Sequence, residues 1–260
     1  MKSLTFDRAV SYYDRTRALP REVSDALTDA LIELGQLLPG RRCLEVGVGT
    51  GRIALPLVAR GVDIVGVDLS SAMLARLASK WPHARLMQTD AAILPFRDRS
   101  FDVALMVHVL HVIADWKGAL LEVQRVVQPG GPLLHVWNNR QQDDIASRLA
   151  ERFRVIVEAG GGSLDRPGAR RREDALAFWA AQGWHSEEIE VARWLEDYTP
   201  AGHIQSLRDR VWSATWQLSD GLLASAVDEL THWAQAEFGS LEQSYPIERL
   251  MMVDEVRFSS

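Results

Sequence analysis

Glu45 and three glycines, Gly47, Gly49 and Gly51, occupy alternate positions after an apolar run and ahead of a helical pattern. Glycines spaced in this way let the backbone turn sharply and approach a ligand where any Cβ would collide, and the following helix offers unpaired N–H groups. The chemistry such a turn serves is the holding of a nucleotide-like ligand. Its spacing is GxGxG, not the GxGxxG that cradles a dinucleotide pyrophosphate. A second apolar run, 63–67, ends in Asp68. A carboxylate there can grip both ribose hydroxyls, or can instead precap a helix opening at Ser70 and Ser71. His108 and His111 follow a fourth apolar run, and histidine is the natural base for a nucleophile that must lose a proton near neutral pH. His108 could equally touch a cofactor or cap the strand, and the step from His111 to Asp115 suits a local hydrogen bond. No third ligand of suitable spacing accompanies the two histidines, so no metal is expected.

Five landmarks recur in a fixed order: Glu45-Val46-Gly47-Val48-Gly49-Thr50-Gly51, Asp68, Gln88-Thr89-Asp90-Ala91, Phe101-Asp102-Val103-Ala104-Leu105 and Arg125-Val126-Val127-Gln128-Pro129-Gly130-Gly131. Together they resemble the class I (Rossmann-like) methyltransferases that use S-adenosyl-L-methionine (SAM), nearest the ubiquinone and menaquinone biosynthesis group. The likeness is close over about 5–138 and holds only in outline beyond. It implies SAM as cofactor, S-adenosyl-L-homocysteine (SAH) as product, and Asp90 as the partner of the adenine amino group. It also implies that the segment Tyr13-Asp14-Arg15-Thr16-Arg17 folds over the cofactor, with Tyr13 and Arg17 on one helical face reaching the methionine carboxylate. An amphipathic helix packing Phe6, Val10 and Tyr13 on the sheet is an equal and compatible reading.

The cofactor-binding set so implied is Tyr13, Arg17, Glu45, Gly47, Val48, Gly49, Gly51, Asp68, Leu69, Met73, Asp90, Ala91 and Val107, with His108 and His111 as catalytic candidates. The methyl acceptor is expected to be a small, partly apolar molecule, methylated at carbon, oxygen or nitrogen. A sulfonium methyl needs an aligned nucleophile and a dry site more than a base, so the base is optional. A non-catalytic SAM- or SAH-binding module would carry the same cofactor motifs. A nicotinamide-dependent oxidoreductase is disfavoured by the GxGxG spacing and by the lack of a recognisable Tyr and Lys pattern.

The elements that must position these residues alternate: strands over 42–46, 63–67, 84–89, 101–107 and 132–137, and helices over 51–60, 71–80 and 116–127. Such alternation predicts an α/β fold, a doubly wound and mostly parallel seven-stranded sheet. Pro56 should kink the first of these helices, unless that helix starts nearer Leu55. Residues 1–139 would hold the N-terminal helices and the SAM-binding core. Residues 140–260 would hold a last crossover helix (173–182), a sixth strand (187–198) and a seventh (247–258). A helical cap is expected over about 140–165 and 199–243, because ligands in such sheets bind at the carboxyl ends of the strands. Trp212 and Trp216, four apart, would share a helix face there. The run Arg166, Arg170, Arg171 and Arg172 reads as a solvated face or a site for an anionic acceptor.

Composition narrows the partners. With 47% hydrophobic and 25% charged residues in 260, disorder is not the default. A net charge of -6 argues against nucleic acid, whose binding needs cations. The lone Cys43 fits a reducing compartment, and the sequence has no apolar run of spanning length. A soluble, cytoplasmic protein of undetermined oligomeric state is expected.

Overall fold

The computed structural model describes residues 2–140 and 143–259. Two short helical pieces near the N-terminus, a 3-10 turn at Asp7–Ala9 and helix α1 (Tyr13–Thr16), precede α2 (Arg21–Leu34). Strand and helix then alternate: β1 (Arg42–Val46), α3 (Ala54–Ala59), β2 (Asp63–Asp68), α4 (Ser71–Lys80), β3 (Arg85–Gln88), β4 (Val103–Val107), α5 (Trp116–Val126) and β5 (Pro132–Arg140). After these come α6 (Ile145–Ala159), α7 (Arg172–Ala181), β6 (His185–Tyr198), α8 (Pro200–Arg208), α9 (Asp220–Phe238) and β7 (Tyr245–Arg257).

The strands form one sheet in the order β3-β2-β1-β4-β5-β7-β6. Strands β3, β2, β1, β4 and β5 run parallel to one another, with Val46 opposite Val67 and Met106. Parallel sheets survive only with both faces covered, and β4 shows why its sequence reads as an unbroken apolar run: Val103 to Val107 are all buried. Sequence order reverses between β1 and β4, which opens a crevice at their carboxyl ends. The α/β, doubly wound expectation is met, and the differences lie in the boundaries.

Helix α3 starts at Ala54, so Pro56 falls in its first turn, where the missing N–H has no intrahelical partner to lose. Strand β4 starts at Val103, with Phe101 only bridging Val127. Strand β5 runs past the expected end at 137, and α6 begins at Ile145 behind an Asp144 cap that accepts from Ser147 N at 2.6 Å. Trp212 and Trp216 lie outside α8 and α9, flanking a 3-10 turn at Ser213–Thr215, and so share no α-helix face.

The chain divides into two compact units. The first comprises 1–138, 167–192 and 251–260, the second 139–166 and 193–250. The first has a core of Leu44, Val46, Val67, Ala104, Met106, Leu120 and Trp179 beneath its helices. Within it, Asp254 of β7 is fully buried and bonds His135 Nδ1 of β5 at 3.0 Å, while Arg172, opening α7, also binds Asp254 and lies over the Trp137 ring at 4.7 Å. The second unit packs α6, α8 and α9 around Leu149, Phe153, Ile204, Leu207, Val227 and Leu230. Among the described residues no helix is long and apolar enough to cross a membrane.

Candidate functional site

A cleft opens in the first unit beside the carboxyl ends of β1, β2 and β4. Of the fifteen residues singled out above, Tyr13, Gly47, Gly49, Asp68, Leu69, Met73, Asp90, Ala91, Val107 and His108 line it. Arg17, Glu45, Val48, Gly51 and His111 do not.

The glycine loop explains its own composition. Gly47 has φ of +77°, and a Cβ there would stand 2.6 Å from Val109 Cγ2, so this glycine is required by packing. Gly49, at φ +55°, is different: its nearest would-be neighbour is the Gly47 carbonyl oxygen at 4.0 Å. That space belongs to the cleft and suits a ligand lying against the loop, so the residues present fit a SAM-like group. Val48 is buried and turns from the cleft to pack on Gly66, where an added Cβ would meet its methyls.

Asp68 performs two structural tasks at once. Its Oδ2 accepts from Gly49 N and its Oδ1 from Ser70 N, each at 2.8 Å, so it both holds the glycine loop and precedes the α4 cap. Ser70 is that cap, accepting from Met73 N at 3.1 Å. Burial raises the Asp68 carboxyl above the ordinary range, against these backbone donors. Each carboxylate oxygen retains a second lone pair for an incoming hydroxyl. Glu45 is buried with its Oε2 unpartnered; burial pushes its carboxyl up to about 8, with Arg52 opposing and Asp68 adding. Asp90 Oδ1 accepts from Ala92 N at 3.0 Å, closing a turn that holds the residue on the cleft wall.

The N-terminal stretch reaches the site, but through residues that the sequence reading passed over. Tyr13 lines the cleft with its ring edge-on to Phe6, whereas Arg17 contributes its carbonyl oxygen to Arg52 Nη1 at 3.2 Å. Asp7 accepts from Ser70 Oγ and Asp14 from Thr50 Oγ1, both at 2.5 Å, and Lys80 Nζ bonds Asp14 at 3.1 Å. Leu4 N donates to Val112 O at 3.0 Å, drawing the start of the chain across the loop after β4. The place of Asp14 inside the Tyr-Asp-x-x-Arg segment was the one available signal.

His108 turns into the cleft with φ of +50°, a conformation that non-glycine residues rarely hold without a reason. Its backbone N donates to Val136 O at 3.1 Å and its Nε2 pairs with Asn138 Oδ1 at 3.1 Å. Burial first, then Arg52, His111 and His135, push its pKa well below the usual histidine value. His111 lies off the cleft wall, where its carbonyl accepts from Gly168 N at 3.1 Å; Asp115 caps α5 through Gly118 N at 2.9 Å. The remaining wall near His108 is apolar: Leu4, Phe6, Val109, Val112 and Ile113. No motif marks these five, since only the folded chain gathers them.

Comparison with known proteins adds the following. Residues 44–135 match the methyltransferase domain family. Uncharacterized methyltransferases of Mycobacterium tuberculosis and Mycobacterium bovis are 38% identical over 165 residues, covering 63% of this chain and 63% of theirs. The chain therefore spans under two thirds of the length of these relatives. The demethylmenaquinone methyltransferase of Renibacterium salmoninarum is 38% identical over 97 residues, 37% of this chain and 41% of that one. Among solved structures, phosphoethanolamine N-methyltransferase 2 of Haemonchus contortus, in complex with phosphomonomethylethanolamine and SAH, shares the fold at a TM-score of 0.53 and 19% identity, covering 97% of this chain and 58% of that one. Residues 44–135 thus match a methyltransferase domain, the fold is shared with solved methyltransferases, and the chain is similar in part to a demethylmenaquinone methyltransferase.

Proposed function

We propose, from a chain that carries a methyltransferase domain at 44–135, that it is a SAM-dependent methyltransferase acting on a small, partly apolar molecule. The observation that carries this reading is the open space at Gly49 beside a half-buried Asp68 that already holds the loop by Gly49 N. SAM, when bound, supplies a methyl group on a positively charged sulfur. In this reading Asp68 takes the ribose hydroxyls on its remaining lone pairs, Asp90 faces the adenine, and Leu69, Met73, Ala91 and Val107 pack against it. Glu45, Tyr13 and Arg17 belong to the methionine end, Arg17 and Glu45 from behind the wall. His108 stands where an acceptor would meet the methyl, and His111 supports it from outside the cleft. The second unit is proposed as a cap that excludes water from the reaction.

Titration calorimetry with SAH tests the cofactor assignment. Asp68→Ala should weaken binding by about 1.5–3 kcal/mol for each charge-assisted bond removed. Unchanged affinity in a folded variant would reject the ribose role. Tighter binding of NAD than of SAH would instead favour the oxidoreductase, and SAH binding without turnover of any acceptor would favour the non-catalytic module.

A further inference from the structure

We propose that a polar recess at the adenine end of the cleft is a subsite for a cationic arm carried on the adenine amino nitrogen, so that the protein takes base-extended adenosyl ligands besides SAM and SAH. The inference rests on the methyltransferase reading and extends it from the methyl end to the base end of the same ligand. The recess lies between the N-terminal stretch, the segments that follow β2 and β3, and the one that precedes α5, all within the first unit. Ser3, Leu69 and Asp90 line both the cleft and the recess, so the two meet there. His108 and its apolar neighbours line only the cleft. The recess therefore serves the ligand's base and not the group that receives the methyl.

Asp90 stands at the junction. A carboxylate that accepts from an adenine amino group uses one of its two hydrogens, so an amine bearing a single alkyl chain keeps the bond and sends the chain past Asp90. The recess also holds Asp7, Asp115 and Lys2, which makes three carboxylates against one ammonium. Each carboxylate is fixed by one donor: Asp7 Oδ1 by Ser70 Oγ at 2.5 Å, Asp90 Oδ1 by Ala92 N at 3.0 Å and Asp115 Oδ1 by Gly118 N at 2.9 Å. The second oxygen of each can accept from an incoming ammonium.

The helix ends nearby do not reverse this sign. Helices α4 and α5 begin at the recess, but Ser70 already accepts from Met73 N and Asp115 from Gly118 N, so each end has an acceptor of its own chain in place of a bound anion. A carboxylate arm would meet three like charges, whereas an ammonium meets three opposite ones and a single like one. Exposed pairs are worth little singly, so the preference for the cation is about fivefold and shrinks as salt is raised.

Titration calorimetry on the full chain tests this with SAH and three forms of it alkylated on the adenine amino nitrogen by butyl, aminobutyl and carboxypropyl chains. The three share one alkylated nitrogen, so ratios among them report the end of the arm alone. The aminobutyl form should bind about fivefold more tightly than the butyl form, and the carboxypropyl form more weakly than both. Asp115→Asn keeps a capping acceptor on α5 while removing a charge. It should leave SAH affinity unchanged and reduce the preference for the aminobutyl form. Lys2→Ala, at an exposed residue near the start of the chain, should increase that preference and gives the sign even where Asp115→Asn fails to fold. The subsite is overturned if SAH binds and all three alkylated forms fail, if the three bind alike, if the carboxypropyl form binds best, or if no folded variant moves the preference. SAH is titrated first, so failure to bind it in the unaltered chain places the fault with the methyltransferase reading.

Discussion

Glu45 holds a carboxyl that is 2% exposed, and its folded pKa of about 8 stands far above the ordinary 4.5. Between those two values the folded chain keeps a proton that the unfolded chain has released. The stabilisation is therefore whole below the lower value and is lost as pH rises through the higher one, a change on the order of 5 kcal/mol. Urea denaturation should show Glu45→Gln gaining on the unaltered chain from mildly acid pH up to about 8 and no further. A parallel pH dependence of both proteins would reject a protonated Glu45. Gly49 makes a second prediction, for a Cβ there meets only open cleft. Gly49→Val should abolish SAH binding in calorimetry while circular dichroism shows the sheet intact; a folded variant that binds normally would reduce the loop to a turn. The glycines and Asp68 were legible in the sequence because their geometry is local, set within a few residues of one strand end. Asp7 and Asp14 were not, because their partners Ser70 and Thr50 lie 63 and 36 positions away and only folding selects them.

Helices were legible to the extent that one face of each is wet, and the central strands as apolar runs buried on both faces. Helix α5 repeats its buried positions Ala119, Leu120, Val123 and Val126 at helical spacing and is capped by Asp115, and its expected limits of 116–127 differ from the observed Trp116–Val126 by one residue. Strands β5 and β7 carry less signal, because each places a polar residue in the core where the two pair with each other. His135 on β5 and Asp254 on β7 satisfy each other, so neither interrupts its strand as an isolated charge would. Arg172, read from sequence as part of a solvated arginine run, completes this cluster and is also paired with Glu188 at 2.9 Å. Its two partners hold Asp254 below the ordinary carboxyl range despite burial, so its contribution is present above that range and is lost as pH falls. Asp254→Ala leaves a buried histidine and part of a guanidinium unpaired, and should cost about 3–5 kcal/mol in chemical denaturation. Asp254→Asn should recover part of this through hydrogen bonding alone. A loss no larger than that of a surface substitution would show the cluster to be solvated in solution.

At the scale of the whole molecule the chain leaves the first unit after 138, returns at 167, leaves again after 192 and returns for good at 251. The second unit has a core of its own, in which Leu149 and Val157 of α6 and Leu230 and Ala234 of α9 are fully buried. The sequence showed the apolar faces of these helices but not the division, since periodicity tells which face is buried and not against what. A separately packed unit need not unfold to admit a ligand, so a cap built from it would respond to binding by losing small openings near its surface. Hydrogen exchange reads such openings segment by segment. On adding SAH, exchange should slow around Gly47, Asp68 and Asp90 and in the N-terminal stretch 5–20, because Asp7 and Asp14 tie that stretch to Ser70 and Thr50 at the edge of the cleft. With SAH and a methyl acceptor together, exchange should slow further in 199–243, while the central helices of the second unit keep the protection they already have. If 199–243 exchanges at the same rate with and without both ligands, the second unit is not the cap, and water must be excluded from the acceptor by the first unit's own apolar wall at Leu4, Phe6 and Ile113.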